Sequence, residues 1–269
     1  MINFESLPTG VMAVLMGLRI AGYEAYLVGG CVRDLLMRRS PKDYDITTSA
    51  LPDQVTALFP RVIPTGIRYG TVTVLEAGMP IEVTTYRADG NYSDGRRPDV
   101  VSFGTSIEDD LSRRDFTMNA MAWAPIAGLV DPYGGAADLQ EGIIRAVGHP
   151  AERFREDALR MLRAVRVSAV LGFTFSPGTQ GAIAVMSHML VNVAMERIRE
   201  ELNRILLSPA PFFGLEMLRK MGLLQQFLPE LCKCYGFDQH NPYHAYDVFD
   251  HTGNVMQAVP PVLHLRLAA

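Results

Sequence analysis

The stretch from Leu27 to Ile46, LVGGCVRDLLMRRSPKDYDI, decides the fold of the first half of the chain. A short apolar run ends at Gly29 and Gly30, and residues with helical spacing follow the glycines. Backbone N–H groups at such a strand-to-helix turn can bind phosphate, and glycine places no Cβ in the path of an anion. The stretch therefore predicts a strand, a phosphate-binding turn and a helix.

An acid pair closes the same stretch. Asp43 and Asp45 are two residues apart, and alternate residues of a strand point to the same face. Adjacent carboxylates repel each other and raise a carboxyl pKa unless a cation neutralises them. Mg²⁺ prefers oxygen ligands and shares its coordination shell with substrate phosphates. The pair alone is also compatible with a solvated strand end. Together with the glycine turn, it favours a nucleoside triphosphate site with Mg²⁺ as cofactor.

The composition is that of a soluble globular protein, with 269 residues, 48% hydrophobic and 20% charged, and a net charge of −4. A negative net charge does not indicate nucleic-acid binding, so a nucleic-acid site would need local clusters of basic residues. We expect no membrane partner, because no apolar run reaches the roughly 18 residues of a membrane span. The N-terminus lacks a signal peptide, and three cysteines suit a reducing cytoplasm, so we expect a cytoplasmic protein.

Periodicity divides the chain at about Gly148 into an α+β part and a helical part. The first part carries predicted helices at Pro8–Ala21, Cys31–Arg38 and Leu111–Trp123, strands at Ala25–Val28, Tyr44–Thr48, Thr71–Leu75 and Ile81–Thr85, and a loop over Arg87–Asp99. The second part carries predicted helices at Glu152–Leu171, Gly178–Met189, Met195–Leu206 and Pro211–Met221.

Several ordered motifs resemble the tRNA nucleotidyltransferase and poly(A) polymerase family, the class II branch of polymerase-β-like enzymes. The Gly-Gly, Arg-Asp and Asp-x-Asp pattern of residues 27–46 is the first of them. The others are TGIRYGTVTV (65–74), TYRADGNYSDGRRPDVVSF (85–103), RRDFTMNAMAW (113–123), DPYGGAADL (131–139), REDALRMLRAVR (155–166) and ERIREELNRIL (196–206). The resemblance covers nearly the whole chain.

The resemblance implies a fold and three domains. We expect a polymerase-β-like nucleotidyltransferase head with a small mixed β-sheet over residues 1–148. An all-helical neck that recognises the base would follow over 149–208. A partial helical body would occupy 209–269. Its segment from His240 resembles the first helices of an HD-type hydrolase domain, and the chain stops before the His-Asp pair. We therefore expect a C-terminally truncated member and assign no second metal site.

The resemblance also implies roles for the head residues. Asp43 and Asp45 would hold two Mg²⁺ ions, and Glu82 would be a third catalytic carboxylate, unless it is an ordinary exposed strand residue. The nucleotide-binding residues of the head would be Gly29, Gly30, Arg33, Arg114, Asp115 and Asn119. Asp34 would position Arg33 or the start of the helix rather than touch the substrate.

Base choice is expected at Asp157 and Arg160, with Arg163 as a third candidate toward phosphate or base. Predicted on one helix, Asp157 and Arg160 lie three residues apart, opposite an apolar side of Leu159, Leu162, Val165 and Ala169. A carboxylate accepts hydrogen bonds and a guanidinium only donates. Cytosine and adenine pair an amino donor with a ring-nitrogen acceptor, so the Asp-Arg pair can select them without a template. A surface ion pair is the alternative.

The implied activity is addition of CCA to tRNA 3′ ends from CTP and ATP, with release of pyrophosphate. The GTVTV strand and the DG-Y-DGRRPD loop favour CCA addition over A addition, and the segment 66–74 lacks the Arg-Phe pattern of bacterial poly(A) polymerases. A-adding and poly(A)-synthesising activity remain alternatives. An inactive nucleotide- or RNA-binding protein is the alternative outside enzymes. The oligomeric state is not predicted.

Overall fold

The computed structural model describes residues 7–90, 101–104, 106–238, 240 and 245–269. These residues form two compact units. The head unit contains the described residues up to 141 together with 146–148, and the helical unit contains 142–145 and the described residues from 149 onward. Most of the predicted loop over Arg87–Asp99 lies outside the described residues. No described helix is both long and apolar enough to cross a membrane.

The head unit combines strands with short helices. The described strands are β1 (Ala25–Val28), β2 (Asp45–Thr48), β3 (Val62–Gly66), β4 (Thr71–Glu76), β5 (Met79–Thr85), β6 (Arg87–Asp89), β7 (Val101–Phe103), β8 (Ala122–Ala124) and β9 (Gly128–Val130). The described α-helices are α1 (Thr9–Ile20), α2 (Gly30–Leu36), α3 (Pro52–Leu58), α4 (Ile107–Ser112) and α5 (Gly135–Glu141).

Within the described residues, the main sheet contains seven strands in the order β3-β4-β5-β2-β1-β8-β9. β2 and β5 run parallel, whereas the other neighbouring pairs are antiparallel. The expected α+β head with a mixed sheet is therefore confirmed. The strands β6 and β7 form a separate antiparallel pair.

Packing against α1 determines which residues of β1 and β2 face the core. One face packs Leu27 and Ile46 against Val14 and Leu18 of α1, and all four side chains are fully buried. Leu27 and Ile46 are register partners, so the next pair along, Val28 and Asp45, points to the opposite face. The apolar strip of α1 thus fixes the register of β1 and β2, because a slip of one residue would bury Asp45 in the core.

The predicted helix over Leu111–Trp123 is wrong. α4 ends at Ser112, Thr117–Asn119 form a single 3₁₀ turn, and Ala122–Ala124 form β8 beside β1. The strand pairs Leu27 with Trp123, a contact between residues almost a hundred positions apart. Local helical spacing gives no information on such a partner, so tertiary pairing overrides it.

The start of α5 is packed tightly against the 3₁₀ turn, and Gly135→Ala should therefore destabilise the head unit. A Cβ at Gly135 would clash with the Thr117 carbonyl oxygen, so the backbone must move. We expect a loss of about 1–3 kcal/mol in the free energy of unfolding, measured by urea denaturation. Gly66→Ala is the matched control, since its Cβ would approach nothing closer than 3.4 Å. Equal stability of the two variants would contradict the prediction.

The helical unit follows the second half of the chain. Its described α-helices are α6 (Pro150–Glu156), α7 (Leu159–Leu171), α8 (Pro177–Met186), α9 (Met195–Leu206), α10 (Pro211–Lys220), α11 (Pro229–Cys232), α12 (Val248–Ala258) and α13 (Leu263–Ala268). Short 3₁₀ helices span Ser187–Asn192 and Leu224–Gln226. Two short strands, β10 (Ile143–Ile144) and β11 (Thr174–Phe175), pair in parallel. The unit is thus mainly rather than entirely helical.

The predicted helix over Glu152–Leu171 is interrupted. α6 ends at Glu156, and Asp157 has extended backbone angles, φ −152° and ψ 104°, before α7 begins at Leu159. The Asp157 side chain accepts a hydrogen bond from the Leu159 N–H (3.1 Å), so it stabilises the start of α7. The apolar side of that helix is as predicted, because Leu159, Leu162, Val165 and Ala169 are all buried.

Candidate active site

The acid pair lies at the entrance of β2. Asp45 is the first residue of this strand, and its register partner on the parallel strand β5 is Glu82. Asp43 precedes the strand and is exposed, whereas Tyr44 between the two acids is buried. The sheet therefore brings the carboxylate-bearing residues Asp45 and Glu82 next to each other, with Asp43 two residues away.

The charges around Asp45 are unbalanced. Burial, the nearby Glu82 carboxylate and the Asp43 carboxylate raise the Asp45 pKa to about 6, although the Arg114 guanidinium acts in the opposite direction. A raised carboxyl pKa means that negative charge at this position lacks full compensation. A bound cation would supply that compensation.

The carboxylates provide part of a metal shell rather than a complete one. The described residues contain no group of three or more His, Cys, Asp or Glu side chains arranged to hold a metal ion. Mg²⁺ commonly takes one or two protein carboxylates and completes its octahedron with water and substrate phosphates. The donor set of Asp43 and Asp45 therefore fits Mg²⁺ bound together with a nucleotide.

The glycine turn stands directly beside these acids. Gly29 links β1 to α2 with φ 77° and ψ −137°, a backbone conformation that favours glycine. A Cβ at this position would lie 2.9 Å from Nη1 of Arg114 and 3.8 Å from Oδ2 of Asp45. Gly29, Arg114 and Asp45 therefore surround one small space, which a side chain at Gly29 would enter.

Gly29→Ala should consequently impair both folding and nucleotide binding. The positive φ and the close approach to Arg114 together should cost about 1–3 kcal/mol of stability. We also expect CTP affinity to fall at least about tenfold, because the methyl group displaces the guanidinium. Calorimetric CTP binding and urea denaturation measure the two effects. Gly30→Ala is the stability control, since its Cβ meets only Arg33, at 3.6 Å, and φ is not positive there. Unchanged CTP affinity in Gly29→Ala would refute the prediction.

Arg33 is held in a network of short hydrogen bonds. Its Nε and Nη2 donate to Oδ1 of Asp34 at 2.9 and 2.7 Å, and its Nη1 donates to Oδ1 of Asn119 at 3.0 Å. Asn119 in turn donates from Nδ2 to Oδ1 of Asp115 at 3.1 Å. Asp34 therefore contacts Arg33 as predicted, and Arg33, Asn119 and Asp115 form one connected group.

Asp115 serves local structure in this network. It is 7% exposed, and its Oδ1 also accepts the backbone N–H of Phe116 at 2.8 Å. This carboxylate shapes the segment between α4 and the 3₁₀ turn. The expected contact of Asp115 and Asn119 with ribose hydroxyls stays a prediction.

The anchor of Arg114 is Asp110, a residue that sequence reasoning missed. Asp110 is fully buried in the head unit. Arg114 donates from Nη2 to Oδ2 of Asp110 at 3.2 Å, and Arg113 donates from Nε and Nη2 to Oδ1 at 3.1 and 2.7 Å. Burial alone would raise the Asp110 pKa, but the two guanidinium groups lower it below its ordinary value. The i,i+3 and i,i+4 spacing to Arg113 and Arg114 was the available signal.

Cys31 lies on the inner side of the glycine turn and was also not predicted. Its Sγ donates to the Val28 carbonyl oxygen at 3.2 Å, and burial raises its pKa to about 11. The thiol therefore stays protonated at neutral pH and acts as a small buried donor. The chain's three cysteines are all free.

The predicted base-reading residues all belong to the helical unit. Asp157 accepts two hydrogen bonds from Arg197 of α9, with Nη1–Oδ1 at 3.2 Å and Nη2–Oδ2 at 2.7 Å. Arg160 donates from Nη1 to Oε2 of Glu156 at 2.6 Å and to the Arg153 carbonyl oxygen at 3.2 Å. Arg163 is half-buried on α7, one helical turn beyond Arg160.

The expectation of one helix carrying Asp157 and Arg160 is thus corrected. Only Arg160 is on α7, whereas Asp157 lies at the break between α6 and α7. Each side chain is oriented by an oppositely charged neighbour, Arg197 for Asp157 and Glu156 for Arg160. An ordered, partly buried carboxylate and guanidinium can recognise a planar ligand better than flexible ones, because less side-chain entropy is lost on binding.

A cavity of about 440 Å³ lies elsewhere in the head unit. Its lining residues are Glu24, Tyr26, Ser49, Tyr86, Ser106, Ile107 and Glu108. None of the predicted site residues lines it. The candidate site is therefore defined by its charged side chains and the glycine turn rather than by this cavity.

Two family models match the chain. One is described as the poly A polymerase head domain and matches residues 25–145. The other is described as a probable RNA- and SrmB-binding site of polymerase A and matches residues 172–234. The first match includes the glycine turn and the acid pair, and the second lies in the helical unit.

Curated relatives are similar over most of the chain. It is 48% identical to the CCA-adding enzyme of Anoxybacillus flavithermus over 220 residues, which cover 82% of this chain and 55% of that enzyme. It is 46% identical to the CCA-adding enzyme of Geobacillus stearothermophilus over 220 residues, 82% of this chain and 54% of that enzyme. The chain therefore spans about half the length of the curated relatives it matches.

Solved structures share the fold. The Bacillus stearothermophilus CCA-adding enzyme in complex with CTP aligns with a TM-score of 0.78 and 42% identity, covering 83% of this chain and 55% of that chain. A tRNA nucleotidyltransferase complexed with a primer tRNA and an incoming ATP analog aligns with a TM-score of 0.69 and 26% identity, covering 83% of this chain and 66% of that chain.

Proposed function

Because the chain belongs to the tRNA nucleotidyltransferase and poly(A) polymerase family, we propose that it adds CCA to tRNA 3′ ends from CTP and ATP. The proposal rests on the register of β2 and β5, which pairs Asp45 with Glu82. Asp45 and Arg114 are also both close to Gly29. Carboxylates for a metal and a guanidinium for phosphate are the groups that nucleotidyl transfer requires.

In the proposed reaction, the RNA 3′-hydroxyl attacks the α-phosphorus of the nucleotide and pyrophosphate leaves. Arg33 and Arg114 bind oxygens of the triphosphate, and the missing side chain of Gly29 leaves room for it. Gly30 lies in the same glycine turn. Asn119 accepts a hydrogen bond from Arg33 and donates one to Asp115, so these two residues help to hold Arg33 in place. Phosphoryl transfer depends mainly on positioning and on stabilisation of charge, so these groups need only bind and orient.

Asp43 and Asp45 are proposed to hold Mg²⁺, with Glu82 as the third carboxylate. Bound there, Mg²⁺ would supply activation of the 3′-hydroxyl and neutralisation of the charge on the leaving pyrophosphate. The raised pKa of Asp45, caused by burial and by the neighbouring acids, supports a cation requirement at this position.

The choice of nucleotide is proposed to reside in the helical unit. The Asp157 carboxylate would accept from the exocyclic amino group of cytosine or adenine, and the Arg160 guanidinium would donate to the adjacent ring nitrogen. Uracil and guanine present a carbonyl and a protonated ring nitrogen instead, so both contacts would be lost. Arg163 is the third proposed contact, toward base or phosphate.

These assignments give each of the three predicted domains a separate proposed role. Residues 1–148 would carry the chemistry, 149–208 would recognise the base, and 209–269 would begin a helical body with an HD-like segment. The three free cysteines support a reducing compartment such as the cytoplasm.

The test incubates the chain with Mg²⁺ and a tRNA lacking its 3′ CCA, with CTP and ATP supplied separately and together, and sequences the product ends. Addition of C, C and A supports the proposal. Addition of A alone, and only to tRNA ending in CC, indicates an A-adding enzyme, and long A tails indicate poly(A) synthesis. Nucleotide binding without any addition indicates a binding protein.

A further inference from the structure

The buried Asp110 carboxylate stands at the centre of a three-residue cluster. Its side chain has no exposed surface, and its two oxygens are divided between two arginines, Oδ1 for Arg113 and Oδ2 for Arg114. Arg113 and Arg114 are themselves only 17% and 18% exposed in their side chains. A buried carboxylate fixes guanidinium groups more firmly than a surface partner does, because water does not compete for the hydrogen bonds.

The two terminal nitrogens of Arg114 have different neighbours. Nη2 contacts Asp110, whereas Nη1 lies 2.9 Å from the Cβ position of Gly29. Asp45 Oδ2 is 3.8 Å from the same position. Nevertheless, among the described residues no ion pair within 4.0 Å joins Arg114 to Asp45. The guanidinium is thus close to Asp45 without forming an ion pair with it.

We propose that Asp110 is the positioning residue of this site, which holds Arg114 beside Gly29 and prevents it from pairing with Asp45. In this position the guanidinium remains available to the phosphates of a nucleotide, and the Asp45 carboxylate remains available as a ligand. The inference deepens the proposed function and rests on it, because it takes a nucleoside triphosphate as the ligand of Arg114.

The need for such a residue follows from the local charges. Asp45, Glu82 and Asp43 concentrate negative charge that attracts any nearby guanidinium. A side chain as long as arginine could turn toward that charge unless a competing carboxylate holds it. Asp110 is that competing carboxylate: it is buried and accepts from Nη2 of Arg114, whereas Nη1 lies beside Gly29. Without it, Arg114 would neutralise Asp45 and occupy the place of the nucleotide.

The test is a double-mutant cycle between Asp110→Asn and Arg114→Lys, with CTP affinity measured by calorimetry. Asparagine keeps the size of aspartate and removes its charge. We expect Asp110→Asn to weaken CTP binding by about 10- to 100-fold, as the loss of a charge-assisted phosphate contact would. In the Arg114→Lys background the same change should have little further effect, because Asp110 acts through Arg114. The effects on CTP and ATP should be alike, since no base contact changes.

Asp138→Asn is the matched control. Asp138 is another buried acid of the head unit, 5% exposed, and it accepts a hydrogen bond from Thr117 at 2.6 Å. We expect this variant to lower stability while CTP affinity stays the same. If Asp110→Asn fails to fold, Asp110→Glu replaces it, because it keeps the charge but moves the carboxylate, and it should weaken CTP binding at least threefold.

An independent readout is the ¹⁵Nε–¹Hε NMR signal of Arg114, identified by its loss in Arg114→Lys. Release from Asp110 should shift or broaden this signal in the Asp110 variant. Additive losses in the cycle, unchanged CTP affinity in the folded Asp110 variant, or an unchanged NMR signal would each overturn the inference. If the unaltered chain binds no CTP, the proposed function fails instead, and the NMR signal alone decides whether Asp110 positions Arg114.

Discussion

Asp45→Asn is expected to lower the rate of nucleotide addition by at least about 10³-fold, because it removes a charged ligand on which transition-state stabilisation depends. The change is isosteric, and the Asp45 side chain is not part of the sheet ladder, so the fold should survive. Single-turnover addition of one C to a tRNA substrate measures the rate. Residual addition within tenfold of the unaltered chain would contradict the role of Asp45.

The same variant should be more stable than the unaltered chain at neutral pH without metal. The Asp45 pKa is raised from 3.8 to about 6 by burial and by Glu82 and Asp43. Between these two values the folded state keeps a proton that the unfolded state has lost, so the stability contributed by this group falls as the pH rises from about 4 to above 6. The full shift corresponds to at most about 3 kcal/mol.

Urea denaturation at pH 5 and pH 7.5 in the presence of a chelator measures this effect. The stability gain of Asp45→Asn should be larger at pH 7.5 than at pH 5, and Mg²⁺ with CTP should stabilise only the unaltered chain. Asp53→Asn, at an exposed carboxylate of α3, is the control and should show no gain that grows with pH. A stability gain that is the same at both pH values would refute the assigned pKa shift.

Asp157→Ala is expected to reduce the discrimination of CTP and ATP from UTP and GTP. Hydrogen bonds to charged groups contribute about 1.5–3 kcal/mol, so losing the carboxylate should reduce the preference by about 10- to 100-fold. The loss also leaves Arg197 without the acid that accepts two of its hydrogen bonds. We therefore expect a stability loss of about 1–3 kcal/mol as well. Competition between CTP and UTP in single-nucleotide addition measures the selectivity.

The control for Asp157→Ala is Glu201→Gln. Glu201 of α9 accepts a hydrogen bond from Arg166 of α7 at 2.6 Å, so this ion pair also joins the α7 region to α9. Its loss should lower stability without changing nucleotide preference. If both variants lose selectivity to the same extent, Asp157 supports helix packing rather than base recognition.

The glycine turn, the acid pair and the contact between Arg33 and Asp34 could be predicted because the residues that define them are close together in the sequence. Gly29 follows a buried strand and precedes a helix, and the structure places β1 and α2 there. Asp43 and Asp45 were identified from their spacing of two. The pairing of Asp34 with Arg33 also follows from adjacent residues. In each case the information lies within a few positions of the chain.

The parts that sequence reasoning missed depend on distant residues. The segment around Trp123 was interpreted as helical because its strand partner, Leu27, is nearly a hundred positions away. The break at Asp157 depends partly on Arg197, forty positions later. Asp110 was passed over because an acid near two arginines usually lies on the surface, and burial of such a group is decided by tertiary packing.

The most direct test of the central claim is a crystal structure of the chain soaked with Mn²⁺ and a non-hydrolysable CTP analogue. The anomalous scattering of Mn²⁺ distinguishes it from water and from lighter ions. We expect a Mn²⁺ peak at the carboxylates of Asp43 and Asp45, with the triphosphate oxygens bound by Arg33 and Arg114 beside Gly29. A Mn²⁺ peak and nucleotide bound away from these four side chains would contradict it.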